Sequence, residues 1–183
     1  MSNFIRAKVI LGALFILFSN LASANEEQWY DAARSGNLDA LTGVEAHDLK
    51  KLNAQNEKGY TAYILASYNG QNAYAEKLLK LGADVCLTDL KGNNALMGVI
   101  FKGYEAMALA LIDKCDVNHR NNEAQTPLMY ASLFGREKIA EALIKAGARV
   151  DLKDRQGRNA ISLAEGQWNK AMVTFLKTFK IIQ

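Results

Sequence analysis

Polar caps and apolar runs alternate along this chain with a long period. Starting at Thr61-Ala62-Tyr63-Ile64-Leu65-Ala66, a Thr or Asn followed by an apolar run returns at Asn94-Ala95-Leu96-Met97-Gly98-Val99, Thr126-Pro127-Leu128-Met129-Tyr130-Ala131 and Asn159-Ala160-Ile161-Ser162-Leu163-Ala164. The steps are 33, 32 and 33 residues. A second set of pairs in the following helix, Leu78-Leu79, Leu111-Ile112, Leu143-Ile144 and Leu176-Lys177, keeps the same intervals. In the unit headed by Thr126, Leu128, Ala131 and Ser132, then Ile139, Ala140, Leu143 and Ile144, hold helical spacing with a break at Gly135. Closing turns recur as Gly82-Ala83-Asp84-Val85, Cys115-Asp116-Val117 and Gly147-Ala148-Arg149-Val150; the missing glycine of the second accounts for the single shorter step. Each unit therefore reads helix, tight turn, helix. A fixed period with one helix pair per unit predicts a solenoid, because no pair buries its apolar face alone.

The Thr or Asn heading each first helix suits an N-cap, whose side-chain oxygen accepts from the otherwise unpaired first N–H groups. Pro127, the only proline, follows one of them. Its preset φ and missing N–H fit the first helical position. Ala62, Ala95 and Ala160 hold that position elsewhere, and alanine is the best helix former. The proline is structural.

These units resemble the ankyrin repeat. The family pattern D-x-x-G-x-T-P-L-H-x-A-A-x-x-G is matched, with substitutions, by Asn56 to Gly70, Asp89 to Gly103, Asn121 to Gly135 and Asp154 to Trp168. Trp29-Tyr30-Asp31-Ala32-Ala33-Arg34-Ser35-Gly36 is similar to a capping first unit. The resemblance implies an all-α ankyrin-repeat solenoid of about five helix-turn-helix units, near 26–53, 54–86, 87–119, 120–152 and 153–183, with short β-hairpin fingers. Three departures follow from the residues. Ile64, Met97, Met129 and Ser162 replace the family histidine, mostly exchanging a polar link for apolar packing. Ala124 replaces a finger glycine. Trp168 replaces the inter-helix glycine of the last unit, so that turn is expected to differ, since glycine supplies a positive φ there.

The pattern breaks at the N-terminus. Residues 1–24 hold Arg6 and Lys8, an apolar run from Val9 to Phe18, then Ala22-Ser23-Ala24. These are the three parts of a secretory signal peptide, cleaved after Ala24 to leave a domain over 25–183. The apolar run is too short for a membrane span, which needs about 20 residues, so no membrane association is expected after cleavage. The leader predicts a periplasmic protein of bacterial type, or alternatively a secreted one. It also carries away two of the 22 basic residues, leaving 20 against 19 acidic ones, a net charge of +1. A nearly neutral domain without a basic stripe gives no electrostatic footprint for nucleic acid.

Half the residues are apolar and 22% are charged, ordinary for a globular domain, and no catalytic constellation emerges. His47, His119, Cys86 and Cys115 lack metal-ligand spacing, and nucleophile, phosphate and dinucleotide fingerprints are missing. The histidines are expected to be solvated. No cofactor, metal or enzymatic activity is predicted. In an exported protein the two cysteines meet an oxidising compartment. Yet the resemblance implies repeats stacked about 10 Å apart, while a disulfide needs Cα atoms within about 7 Å. Free, mostly buried thiols are therefore expected. A redox protein using Cys86 or Cys115 is the least favoured reading, because no cation is placed to activate either thiolate.

A non-enzymatic protein-binding module, monomeric by itself, is the favoured reading. The resemblance implies that a protein partner lies in the concave groove formed by first helices and finger tips. Groove positions are Tyr68, Asn69, Phe101, Lys102, Leu133 and Phe134; finger positions are Tyr60, Leu90, Asn93, Gln125 and Arg158. Tyr68, Phe101 and Leu133 recur at 33 and 32 residues and are expected to form one apolar stripe. Large apolar groups in a row mark an interaction site. Narrower roles compatible with the leader are an accessory factor for an oxidative-stress enzyme such as a catalase, or an immunity protein against a secreted toxin.

Overall fold

The computed structural model describes residues 26–180; the predicted leader over residues 1–24 lies outside them. The first unit holds α1 over residues 26–35, a 3-10 turn (Leu38–Leu41) and α2 (Leu49–Leu52). Then come four helix pairs: α3 (Ala62–Tyr68) with α4 (Asn72–Leu81), α5 (Ala95–Lys102) with α6 (Glu105–Ile112), α7 (Pro127–Leu133) with α8 (Glu137–Lys145), and α9 (Ala160–Gly166) with α10 (Lys170–Lys180). Each helix packs on its partner, and α3, α5, α7 and α9 pack on one another in an inner row. The first unit is atypical in replacing a long outer helix by a single 3-10 turn, as an end unit with one unpacked face can.

Each inner helix starts where a side chain captures its third N–H. Thr61 Oγ1, Asn94 Oδ1, Thr126 Oγ1 and Asn159 Oδ1 accept from Ile64, Met97, Met129 and Ser162 at 3.1, 3.1, 3.3 and 2.9 Å. Each such cap contributes about 1 kcal/mol. Pro127 occupies the first turn of α7. Beneath the caps, Ala66, Val99, Ala131 and Ala164 are fully buried against Leu78, Leu111, Leu143 and Leu176. Burying one such leucine contributes roughly 1.5–3 kcal/mol. Met97 and Met129 are buried at the family-histidine position, whereas Ser162 is exposed and completes a capping box with Asn159.

Three expectations need correction. The fingers are not β-hairpins: among the described residues the only bridge outside a strand pairs Thr88 with Asn94, and no strand forms. Each finger is instead a tight turn wrapped on one side chain. Asn56, Asp89, Asn121 and Asp154 accept at Oδ1 from the N–H groups two and four residues ahead. The helix cap follows at once, which leaves no length for a ladder. Neighbouring fingers share one backbone hydrogen bond each, Leu90 N–H to Lys58 O, Asn122 N–H to Lys91 O and Arg155 N–H to Glu123 O.

The last inter-helix turn does not differ. Trp168 takes the left-handed conformation (φ 57°) that Gly70, Gly103 and Gly135 take elsewhere, and Ala124 does the same in its finger at φ 60°. The bond closing the turn persists in all four pairs: Gln71 N–H to Ala66 O, Tyr104 N–H to Val99 O, Arg136 N–H to Ala131 O and Asn169 N–H to Ala164 O. Packing of α9 on α10 outweighs the cost of a side chain at positive φ. Space is also tight at two of these glycines: a Cβ would lie 2.7 Å from Arg136 Cζ at Gly103 and 3.1 Å from Tyr104 Cζ at Gly70.

The cysteines are not free. Cys86 and Cys115 form a disulfide with Cα atoms 5.5 Å apart, and no free cysteine occurs among the described residues. Stacking separates equivalent positions of neighbouring units, but these two are not equivalent. They are 29 residues apart rather than 32 or 33. That offset lets the turn after α4 reach the turn closing the next pair.

Candidate functional site

The inner row ends in aromatic side chains that meet across unit boundaries. Tyr68 is the last residue of α3, Phe101 lies one residue from the end of α5, and Phe134 caps the C-terminus of α7. Tyr68 and Phe101 stack with centroids 6.1 Å apart at 10°, Phe101 meets Phe134 edge-on at 4.9 Å, and Phe134 contacts Tyr130 at 6.0 Å. The predicted stripe thus turns at its third member. Leu133 is half-buried beside it, while the row continues through Phe134, whose ring meets Phe101 edge-on. Tyr68 and Phe101 remain 40% and 41% exposed. The Lys102 ammonium lies 5.0 Å over the Tyr68 ring, a cation–π contact.

Tyr68, Phe101 and Tyr130 line a groove of about 520 Å³ between the inner helices and the fingers, and Phe134 extends the ring row beyond that lining. Of the predicted residues, Tyr60, Tyr68, Asn69, Asn93 and Phe101 line it. Arg34, Ile64, Met97, Gly98 and Tyr130 also line it and escaped the sequence reading. Arg34 belongs to the divergent first unit, and Ile64 and Met97 stand where the family pattern gave an inter-repeat contact. Tyr130 had a readable signal, being the aromatic residue four positions before Phe134 on the same helix face.

The finger residues divide by what holds them. Asn93 Oδ1 accepts from Asn121 Nδ2 at 2.8 Å and from the Tyr130 hydroxyl at 3.1 Å, so Asn93 braces the floor. Burial, opposed by the Asn121 hydrogen bond and helped by the Asp89 carboxylate, raises the Tyr130 pKa and keeps that hydroxyl a donor. Gln125 accepts from the same Asn121 amide at 3.3 Å. Arg158 is engaged with its own finger, Nε and Nη2 donating to Asp154 Oδ2 at 2.9 and 2.8 Å. Burial pushes the Asp154 carboxyl up, but the Arg158 N–H and guanidinium and the Gln156 N–H outweigh it and hold it below its usual value. Leu90 stands on a finger tip, 69% exposed and outside the groove lining.

His119 departs from expectation. It is half-buried, and its Nε2 donates to Gly92 O at 2.7 Å, joining adjacent fingers rather than facing solvent. His47 is exposed but takes φ 64°, and its N–H donates to Leu81 O at 2.7 Å. A second concavity of about 580 Å³ in the first unit contains Trp29, whose ring lies 5.1 Å from Lys51 Nζ. It mixes Glu26 and Asp48 with Lys50 and Lys51 and lacks a row of rings. Among the described residues no group of three or more His, Cys, Asp or Glu side chains could hold a metal, and no helix is long and apolar enough to cross a membrane.

Comparison with known proteins agrees with this architecture. The family described as "Ankyrin repeats (3 copies)" matches residues 81–154 and 96–179, and "Ankyrin repeat" matches residues 58–90. Similar curated proteins include the phosphocholine transferase AnkX of Legionella pneumophila, 37% identical over 57% of this chain. Another is the transient receptor potential cation channel subfamily A member 1 homolog of Caenorhabditis elegans, 25% identical over 87%. A third is mouse NF-kappa-B inhibitor alpha, 34% identical over 62%. The aligned part of this chain spans 12%, 14% and 38% of those three proteins.

Proposed function

Because the chain belongs to the ankyrin repeat family, a family of protein-interaction modules, we propose that it holds a protein partner in its concave groove, without chemistry of its own, in an exported compartment. The observation that carries this is the ring row Tyr68–Phe101–Phe134, partly exposed and continuous over three units. Aromatic anchors supply most of the energy at interfaces. Lys91 and Lys102 stand beside the rings, which fits a partner segment with an apolar anchor flanked by carboxylates. One relative is named as an inhibitor of another protein, and capture of that kind suits this groove. The signal-like residues 1–24 and the Cys86–Cys115 bond both fit an oxidising compartment such as the bacterial periplasm. An accessory role beside an oxidative-stress enzyme, or neutralisation of a toxin, would use the same surface.

The test pairs two immobilised baits, the chain from residue 25 onward and its Phe101→Ala, Phe134→Ala variant, against extract of the native compartment. The expected result is a protein retained by the first and lost from the second, with thermal midpoints nearly equal. An early-unfolding variant would assign the rings to the core; undiminished capture would place the site elsewhere. N-terminal sequencing of the exported protein is expected to begin at Asn25.

A further inference from the structure

At two junctions between consecutive units an asparagine makes the link on the outer side. Asn53 Oδ1 accepts from the Asp84 N–H at 2.8 Å, between the first and second units. Asn118 Oδ1 accepts from the Arg149 N–H at 2.8 Å and its Nδ2 donates to Gly147 O at 3.1 Å, between the third and fourth. The residue in that register at the intervening junction, 33 after Asn53 and 32 before Asn118, is Cys86. Its local turn is unchanged: Cys86 N–H donates to Asp84 Oδ1 at 2.9 Å, as Asn118 N–H does to Asp116 Oδ1 at 2.8 Å. Only the link differs. Cys86 is bonded to Cys115, a position held by Ala83 and Ala148 in the flanking units. A covalent bond stands where a side-chain hydrogen bond stands on either side.

The same junction carries the groove's first ring contact. Tyr68 lies on one side, with Phe101 and the Lys102 ammonium above it on the other. Stability in a solenoid is a sum of unit and nearest-neighbour terms, so weakening one junction uncouples what lies on its two sides. Once reduced, Cys86 has only a weak substitute for the asparagine link: its Sγ lies 3.3 Å from Lys114 O, where Asn118 Nδ2 meets Gly147 O, and a thiol is a poor donor and acceptor.

We propose that the Cys86–Cys115 bond is a redox gate on the groove: its reduction loosens the junction between the second and third units, parts Tyr68 from Phe101 and weakens partner capture. The effect on capture rests on the groove being the binding surface. A dithiol reductant is the co-reactant. One of its thiolates attacks the half-buried Cys86 sulfur, the S–S bond breaks, and Cys115 leaves as a thiolate that takes up a proton. The reductant's second thiol then displaces the Cys86 thiol. Two electrons and two protons pass to the protein and the dithiol becomes a disulfide.

Hydrogen exchange read by mass spectrometry on the chain from residue 25 onward tests the gate without a partner. With dithiothreitol, and reduction verified by mass, amides of α3 and α4 are expected to exchange about tenfold faster while those of α7 and α8 change less than about twofold. Cys86→Asn with Cys115→Ala restores the asparagine link and is expected to be indifferent to dithiothreitol. Cys86→Ser with Cys115→Ala is expected to exchange fast in both conditions. Unchanged exchange in the fully reduced wild type, or equal acceleration in every unit, overturns the gate. Exchange is independent of the capture experiment above, so failure of the groove reading and failure of the gate are separable. For any protein retained there, capture by the wild type is expected to fall about tenfold on reduction and capture by the asparagine variant to hold; equal capture by the reduced and oxidised wild type overturns the gate.

Discussion

Phe101 and Leu109 expose the same fraction of themselves, 41%, from the two helices of one pair, yet their surroundings have little in common. Phe101 touches a ring on either side and has a lysine nearby. Leu109 lies on the outer face among exposed Ala106 and Ala110, and its register positions on α4 and α8 are the exposed Glu76 and Glu141. The outer face around it carries ion pairs, Lys138–Glu105 at 3.3 Å and Lys145–Glu141 at 2.6 Å. Single exposed apolar side chains are ordinary on any protein. Continuity across units, not exposure, distinguishes the concave face.

The largest expected effect calibrates that contrast. Leu111→Ala, beneath both faces and 1% exposed, is expected to cost about 3 kcal/mol and lower the thermal midpoint by roughly 6–12 °C in a circular-dichroism melt. A Phe101→Ala loss of that size would move Phe101 into the core and erase the contrast. Next comes Lys102→Gln, expected to weaken partner binding by up to about tenfold at low salt, with the gap closing at high salt. An identical loss at all ionic strengths would remove charge from the description of the groove.

Asp154→Asn sharpens the assignment of Arg158 to its finger. The folded carboxyl is more acidic than the unfolded one, so its contribution is complete above about pH 4 and is lost as pH falls further. Asn56 and Asn121 occupy the equivalent place, so the turn is expected to persist. The cost at neutral pH should be no more than about 1 kcal/mol, because Arg158 is partly solvated. Acid titration of stability, compared with wild type, is expected to show a shallower decline below pH 4 for the variant. Smallest of all, Leu109→Lys should change stability by less than about 0.5 kcal/mol and leave capture unchanged in the paired-bait experiment. Lost capture would put the partner on the outer face.

Much of this was readable from periodicity. The Thr and Asn caps, the buried Ala66, Val99 and Ala131, and Pro127 at a helix start all follow from residues acting within one unit. What escaped the sequence depends on tertiary contacts. The stripe passes through Phe134 instead of Leu133 because the ring one residue on meets Phe101 edge-on, a contact between units that spacing alone does not show. The disulfide escaped because equivalent positions were compared, whereas Cys86 and Cys115 meet through an offset. Trp168 keeps a glycine-like turn because tertiary packing overrides local preference. Asn93 and Arg158 read as partner contacts, yet each is bound by its neighbours.

The two tryptophans occupy opposite ends of the array in opposite environments, Trp29 8% exposed in the first unit and Trp168 88% exposed in the last. Intrinsic fluorescence is therefore an end-selective signal. Fraying of the last unit leaves an already hydrated indole as it was and is nearly dark. Release of the first unit transfers Trp29 from a buried site to water and shifts its emission to the red, so the colour of the light reports from which end the solenoid unzips.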